Sequence, residues 1–299
     1  MNKYKIEQKI STLAQCAVME NREKPASFEV EKIKFSHWYF NYRKGWLGEA
    51  WIATSVIEAK DYRKAFLEFN KKLSKIISRI SLIGQCYIEY FTESFLIHKE
   101  GSNIAFLRYV RDRRPVGLMF TEKEKEALEI LMKNKSIPDE FFYYWKDAVN
   151  TLGYSPKILL MCSAIEALTS QDKNLQKKIL GNDLYKKVFG KGGIRHRLSH
   201  GSYFNERDFS ENYAELLHFA IIKYFNKEVF RKTLISEKVK HPQRHFWGNK
   251  EEWRLFIERK DGLSRFFLKE VINEFEKSEL FKNSPKYKIV SFKKWTSKY

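Results

Sequence analysis

The chain is short of acidic residues. Its 299 residues include 37 Asp and Glu against 56 Lys and Arg, a formal net charge of +19. Such an excess favours polyanionic partners, and RNA, DNA or an acidic membrane surface would all qualify. A lysine-rich, AT-biased proteome would leave the same mark, and Lys, Asn, Ile and Phe are all abundant here. Cysteine is nearly absent: Cys16, Cys86 and Cys162 lie far apart and form no CxxC pair. That excludes a zinc knuckle and a disulfide framework, and makes a reducing compartment the default. No apolar run approaches the ~20 residues needed to span a bilayer. The opening stretch, MNKYKIEQKISTLAQ, is too polar for a secretory signal. The expectation is a soluble, cytoplasmic protein with no membrane partner. Walker and dinucleotide glycine patterns are both missing, so no cofactor is expected. No internal repeat is visible.

What is present supports a large core. Hydrophobic residues make up 43% and aromatics 16%, with 24 Phe, 16 Tyr and 7 Trp, so disorder is excluded as the main state. Ile6, Ile10, Leu13 and Ala17 recur at helical spacing and predict an opening helix over 3–19. Residues 27–35 and 49–59 are β-branched and aromatic and read as strands. An aromatic cluster, His37 to Trp46, lies between them. Asp61 caps a helix carrying Phe66, Phe69, Leu73, Ile76, Ile77 and Ile80. Strand-like runs follow at 82–97 and 104–110, with a short one over 115–120. Residues 1–120 therefore read as an α+β domain.

After Phe120 the pattern turns helical. Thr121 caps 122–134 with Glu124 in the capping-box position. Pro138 opens a helix over 138–150, and Pro156 opens an apolar one reaching Thr169. Short helices over 173–189 and a long one over 211–232 complete an expected all-α segment, 121–232. Residues 233–299 read as a basic, aromatic extension containing HPQRHFW and a helix near 263–277.

Residues 194–201, Ile-Arg-His-Arg-Leu-Ser-His-Gly, carry the chemistry. On a regular helix Ile194 and Leu198 share one face and His196 and His200 the opposite one. Arg197 then lies about 60° from His200 and Arg195 about 140° from it. Gly201 suits the position just past a helix end. Histidines move protons near neutral pH, and arginines hold a phosphate through paired hydrogen bonds. RNA supplies its own 2′-hydroxyl nucleophile, so this set could cleave it without a metal and would leave DNA uncut. A solvated basic helix face is the plainer reading. A zinc pair at His196 and His200 is disfavoured, because Arg197 stands where HExxH has Glu and two arginines repel a dication. Glu166 interrupts the apolar 156–169 helix and needs a partner, either a core Arg or Lys or one of Arg195 and Arg197. His218 reads as a packed core or interface histidine. His241, His245 and Trp247 could stack on a base.

Arg195, polar His196 and His200, followed by Leu-Ser-His-Gly and preceded by the Ala164-x-Glu166-Ala167-Leu168 helix, resemble the HEPN superfamily and its ApeA-like group. The resemblance covers 121–232. It implies an all-helical HEPN-like bundle, an α+β domain over 1–120 with a sensor or substrate-shaping role, and a helical extension. It implies catalytic roles for Arg195, His200 and His196, with Arg197, Ser199 and Glu166 binding or orienting the substrate, and no metal. The implied function is metal-independent RNA cleavage by a homodimer in bacterial defence or a toxin system, with RNA and an antitoxin or other defence partner. The alternative within the same resemblance is a non-catalytic module that binds RNA or a nucleotide.

Overall fold

The structure is a computed structural model, and it describes residues 1–12, 27–43, 46–85, 88–89, 93–111, 122–151, 153–205, 208–237, 250–278 and 283–297. The chain forms two compact units. The first comprises Met1–Ser74, Ile88–Met119 and His245–Tyr299, and the second comprises Lys75–Tyr87 and Phe120–Arg244.

The first unit is built on an antiparallel sheet of nine strands. These are β1 (Asn2–Thr12), β2 (Phe28–Val30), β3 (Ile33–Arg43), β4 (Trp46–Ala59), β5 (Ile88–Glu89), β6 (Phe95–Lys99), β7 (Ile104–Arg111), β8 (Lys250–Arg259) and β9 (Tyr287–Ser297). Their order is β2-β3-β4-β1-β6-β7-β8-β9, with β5 also on β1. Helix α1 (Tyr62–Gly84) begins in this unit and ends in the second.

The opening helix expected over 3–19 is corrected to a strand. Ile6 and Ile10 fit a helical spacing, but Tyr4, Ile6, Gln8 and Ile10 also alternate and are all buried. A period of two wins because β1 pairs on both edges, Ile6 opposite Ser55 of β4 and opposite Ile97 of β6. Leu13 and Ala17 lie outside the described residues. The run 82–97 is also corrected: α1 continues to Gly84, and among the described residues the strands are Ile88–Glu89 and Phe95–Lys99.

The C-terminal extension is not helical as a whole. Its described residues contribute β8, β9 and a helix, α9 (Leu268–Lys277), to the first unit. Trp253, Leu255 and Ile257 alternate inward and pack with Leu107, Tyr109, Val271, Ile272 and Phe275 in one apolar cluster. The apolar Phe256 at an intervening position hid that alternation. Glu7 of β1 completes the packing of α9. Its carboxylate accepts a hydrogen bond from the Leu268 N–H, the first of the helix, and lies 2.7 Å from Lys5 Nζ. A carboxylate at a helix N-terminus meets both an unsatisfied donor and the positive end of the dipole.

The helices of the second unit, besides the end of α1, are α2 (Glu122–Lys133), α3 (Asp139–Asn150), α4 (Tyr154–Thr169), α5 (Lys173–Leu180), α6 (Asn182–Phe189), α7 (Ile194–Ser199) and α8 (Tyr213–Tyr224). The long helix expected over 211–232 is α8 followed by a π-helical turn, Phe225–Phe230. Asn226 ends it: its side-chain oxygen accepts from the Leu234 and Ile235 N–H groups, and its amide donates to the Ile235 carbonyl. Trp145, Phe141, Phe142 and Phe225 are fully buried, with Phe141 stacked on Phe225. Buried Arg79 of α1 donates to Asp139 at 2.5 Å and covers the Phe142 ring. His218 is a core histidine, 2.9 Å from Gln85 Oε1 and against Trp145. Among the described residues, no helix is long and apolar enough to cross a membrane.

The expected architecture, an N-terminal α+β domain, then an all-α HEPN-like bundle, then a helical extension, is therefore overturned. A sheet drawn from both ends of the chain organises the fold, and a HEPN bundle over 121–232 is not shown. The helical segment is an insertion between neighbouring strands β7 and β8. Thr121, the strand expected over 115–120, and His241, His245 and Trp247 lie outside the described residues.

The role of Glu7 is testable. Glu7→Ala leaves the Leu268 N–H without its acceptor and is expected to destabilise the protein by about 1–3 kcal/mol in urea unfolding. Glu7→Gln, which keeps an acceptor, is expected to lose less; equal stability of Glu7→Ala and wild type would refute the assignment.

Candidate functional site

The loop that delivers α7 is shaped by glycine. Gly192 adopts φ +70°, a left-handed conformation. At Gly193 the requirement is space: a Cβ there would lie 2.6 Å from the Val188 carbonyl oxygen and 2.9 Å from that of Lys187. This close approach folds the chain back against the end of α6 so that α7 can begin at Ile194. Buried Ile194 and Leu198 anchor α7. Burial of each is worth about 1.5–3 kcal/mol, and a helix this short does not stand without such packing. His200 is the C-terminal cap residue, with φ −100° and ψ 21°, and Gly201 follows at φ +89°. The Ser202 N–H donates to the Arg197 carbonyl, closing the helix end.

Helix α4 fixes the site from below. Its Glu166 takes Arg195: Arg195 Nη2 donates to Oε2 at 3.1 Å, and Nε lies 2.8 Å from Oε1. Of the partners open to Glu166 from sequence, the structure selects Arg195. The pair is partly open, the arginine side chain 39% exposed and the glutamate 23%. Nearer the start of α4, Ser155 Oγ donates to the Phe204 carbonyl at 2.8 Å and accepts from the Phe204 N–H at 2.7 Å. The segment after α7 is thereby tied to the same helix. Cys162 of α4 is buried, and burial first, then the Glu166 charge, pushes its thiol well above the ordinary range. It is an inert neutral group.

The remaining residues expected at the site fall into two groups. His196 and His200 are exposed and adjacent, their rings 4.3 Å apart and inclined at 55°. Arg197 turns away onto an aromatic face, its guanidinium 4.4 Å from the centre of the Phe204 ring. Ser199 Oγ donates to the His196 carbonyl at 2.8 Å, a bond within the helix. The wheel brought Arg197 nearest to His200, but its side chain is engaged elsewhere, and Arg195 is the arginine held by a carboxylate. Sequence reading missed Ser155 and Phe204. The only signal for Phe204 is an aromatic a few residues beyond Gly201, and for Ser155 a hydroxyl in the first turn of an apolar helix. Tyr203, 67% exposed, was missed too.

Among the described residues no group of three or more His, Cys, Asp and Glu is placed to hold a metal ion. No family model matches the chain, and searches of curated proteins and of solved structures return no match.

The close approach at Gly193 yields a direct test. Gly193→Ala is expected to destabilise the second unit by about 1–3 kcal/mol through overpacking, read by thermal unfolding. A variant as stable as wild type would show that the loop carries no such constraint.

Proposed function

We propose that the chain is a metal-independent endoribonuclease whose reacting groups sit on α7. One observation supports this most: a carboxylate on α4 holds Arg195 while His196 of α7 and His200, the residue that caps it, present adjacent, exposed imidazoles. A guanidinium has five N–H donors in a fixed fork. Glu166 takes its Nε side and Nη2, which leaves the Nη1 end to meet a phosphate oxygen. One imidazole takes the proton from a ribose 2′-hydroxyl, and the freed oxygen attacks the adjacent phosphorus. The bond to the 5′-oxygen breaks, and the other imidazole gives that oxygen a proton. The products are a 2′,3′-cyclic phosphate and a 5′-hydroxyl. Arg195 stabilises the charge that grows on the phosphoryl oxygens.

The resemblance of residues 194–201 to the HEPN motif supports the same reading, as does the net charge of +19. It extends the reading to a homodimer acting as a toxin or in defence, with a neutralising partner. Exposed Tyr203, Leu216 and Phe219 of the second unit would suit contact with a second copy.

The test is RNA incubated in EDTA with wild type, Arg195→Ala and His200→Ala. Cleavage by wild type is expected to fall at least 100-fold in either variant, as loss of a proton-transfer group or of a charge-stabilising donor typically gives. A DNA strand of the same sequence should remain intact. Expression of wild type should arrest growth where His200→Ala does not. Equal cleavage by all three proteins, or cleavage that requires a metal, would overturn the proposal. Salt-sensitive RNA binding with no product would favour the non-catalytic alternative instead.

A further inference from the structure

A cavity of about 570 Å³ lies in the first unit, between α9 and the strands beside it. That volume falls within the range of small-molecule sites, about 300–1,000 Å³. The strands supply one wall. Glu7 of β1 is directly opposite Thr54 of β4, and Ile52 of β4 is opposite Ser36 of β3. Opposed residues point to one face, as do residues two apart on a strand. Glu7 accepts from the first N–H of α9, so this is the face on which α9 packs. The helix supplies the other wall. Glu270, Asn273, Glu274 and Lys277 recur at i, i+3, i+4 and i+7 and form one stripe, opposite the buried Leu268, Val271, Ile272 and Phe275. Phe267 and Lys269 also line the space.

Two of the lining carboxylates are already engaged. Glu7 holds α9 and Lys5, and Glu270 lies 3.5 Å from Lys286 and 3.7 Å from Arg259. Other lining groups have no partner among the described residues. These are the Ser36 and Thr54 hydroxyls, the Asn273 carboxamide and the Lys269 and Lys277 ammonium groups. The Glu274 carboxylate makes no ion pair among the described residues. Lys5 Nζ lies 4.1 Å from the centre of the Phe267 ring, and Phe267 remains 45% exposed.

The order of these groups along α9 is an aromatic ring at Phe267, a carboxamide and a carboxylate at Asn273 and Glu274, and a cation at Lys277. At 1.5 Å per residue the series spans about 15 Å. A ribonucleotide carries its chemistry in the same order. Its base stacks on an aromatic ring, its ribose hydroxyls donate to a carboxylate, and its phosphate takes an ammonium group. We propose that this cavity binds a single ribonucleotide, with Phe267 under the base, Glu274 on the ribose and Lys277 on the phosphate. Ser36, Thr54 and Asn273 supply neutral polar contacts. The site is separate from α7, and its occupation does not depend on whether α7 cleaves RNA.

The experiment is isothermal titration calorimetry of the full chain with the four ribonucleoside 5′-monophosphates. At least one is expected to bind one-to-one. Lys277→Ala should weaken that binding at least tenfold, as loss of a hydrogen bond between charged groups gives. Phe267→Ala should weaken it at least fivefold, the lower end of what a lost stacking contact costs, and Phe267→Trp should retain it. Alanine suits a helix at position 277, and thermal unfolding checks that each variant is folded. The 2′-deoxy form of the same nucleotide should bind more weakly, because Glu274 loses a donor. Displacement of the nucleotide by a 5′-phosphorylated RNA trinucleotide would assign the end of an RNA chain as its source, and failure to displace would assign a free nucleotide; both support the site. Arg195→Ala is the control for α7. Binding kept in Arg195→Ala and weakened in Lys277→Ala supports the cavity. Binding lost in Arg195→Ala and unchanged in Lys277→Ala, or no binding of any of the four nucleotides, would overturn it. Equal affinity for the deoxy form would overturn the choice of a ribose.

Discussion

The pairing of β7 with β8 is the constraint on which the rest of this chain depends. Arg111, the last residue of β7, sits opposite Glu251 near the start of β8. Everything between them, the whole helical segment from α2 through α8, leaves and returns at one place in the sheet. Closing so long an excursion costs entropy that grows only slowly with length. It is offset by eight opposed residue pairs between the strands and by the cluster that Trp253, Leu255 and Ile257 make with β7 and α9. The same closure makes the first unit discontinuous in sequence. Its core needs strands that end at Arg111 and strands that begin at Lys250, so neither part of the chain holds that core without the other.

Within the second unit the comparable role falls to α4. A helix as short as α7 has no stability of its own. It exists because Ile194 and Leu198 are buried, because Glu166 holds Arg195, and because Ser155 holds the chain that follows at Phe204. Each contact fixes a different part of the same segment. The result is a basic, histidine-bearing helix whose backbone is tied down and whose imidazoles still face solvent.

Local signals were legible wherever structure followed local pattern. The 3.6 period of α1, the helix that follows Pro138, the glycines flanking α7 and the opposed faces of residues 194–200 could all be read from spacing, and the helix expected from Pro156 begins two residues earlier, at Tyr154. Glu166 was legible as a carboxylate in need of a partner, because an ionised group in an apolar helix is costly. What could not be read was non-local. Ile6 and Ile10 satisfy both a helix and a strand, and only the two neighbours of β1 decide between them. The alternation in β8 is plain once β7 is known to lie beside it, but in sequence Phe256 breaks it and Lys, Glu and Arg flank it, and a linear reading took the region for a basic, aromatic extension. Pairing across most of the chain leaves no mark at either partner. The direction of Arg197 was illegible for a different reason. An ideal wheel places a side chain by angle, whereas the Phe204 face, set by a hydrogen bond to α4, decided where the guanidinium lies.

Ion pairs between glutamate and arginine recur in both units: Glu166 engages Arg195 in the second, and Glu252 engages Arg108 and Arg254 in the first. These pairs are partly open to solvent, where ion pairs contribute only about 0–1 kcal/mol to stability. Their effect is therefore on geometry more than on stability. A free arginine samples many rotamers, and holding it for a phosphate costs entropy at the moment of binding. A carboxylate already in place bears that cost in the folded state, at the expense of one unit of positive charge. With 56 Lys and Arg against 37 Asp and Glu, the chain can lose that charge at chosen arginines and remain strongly positive. Carboxylates placed against these arginines therefore fix the direction of the guanidinium groups.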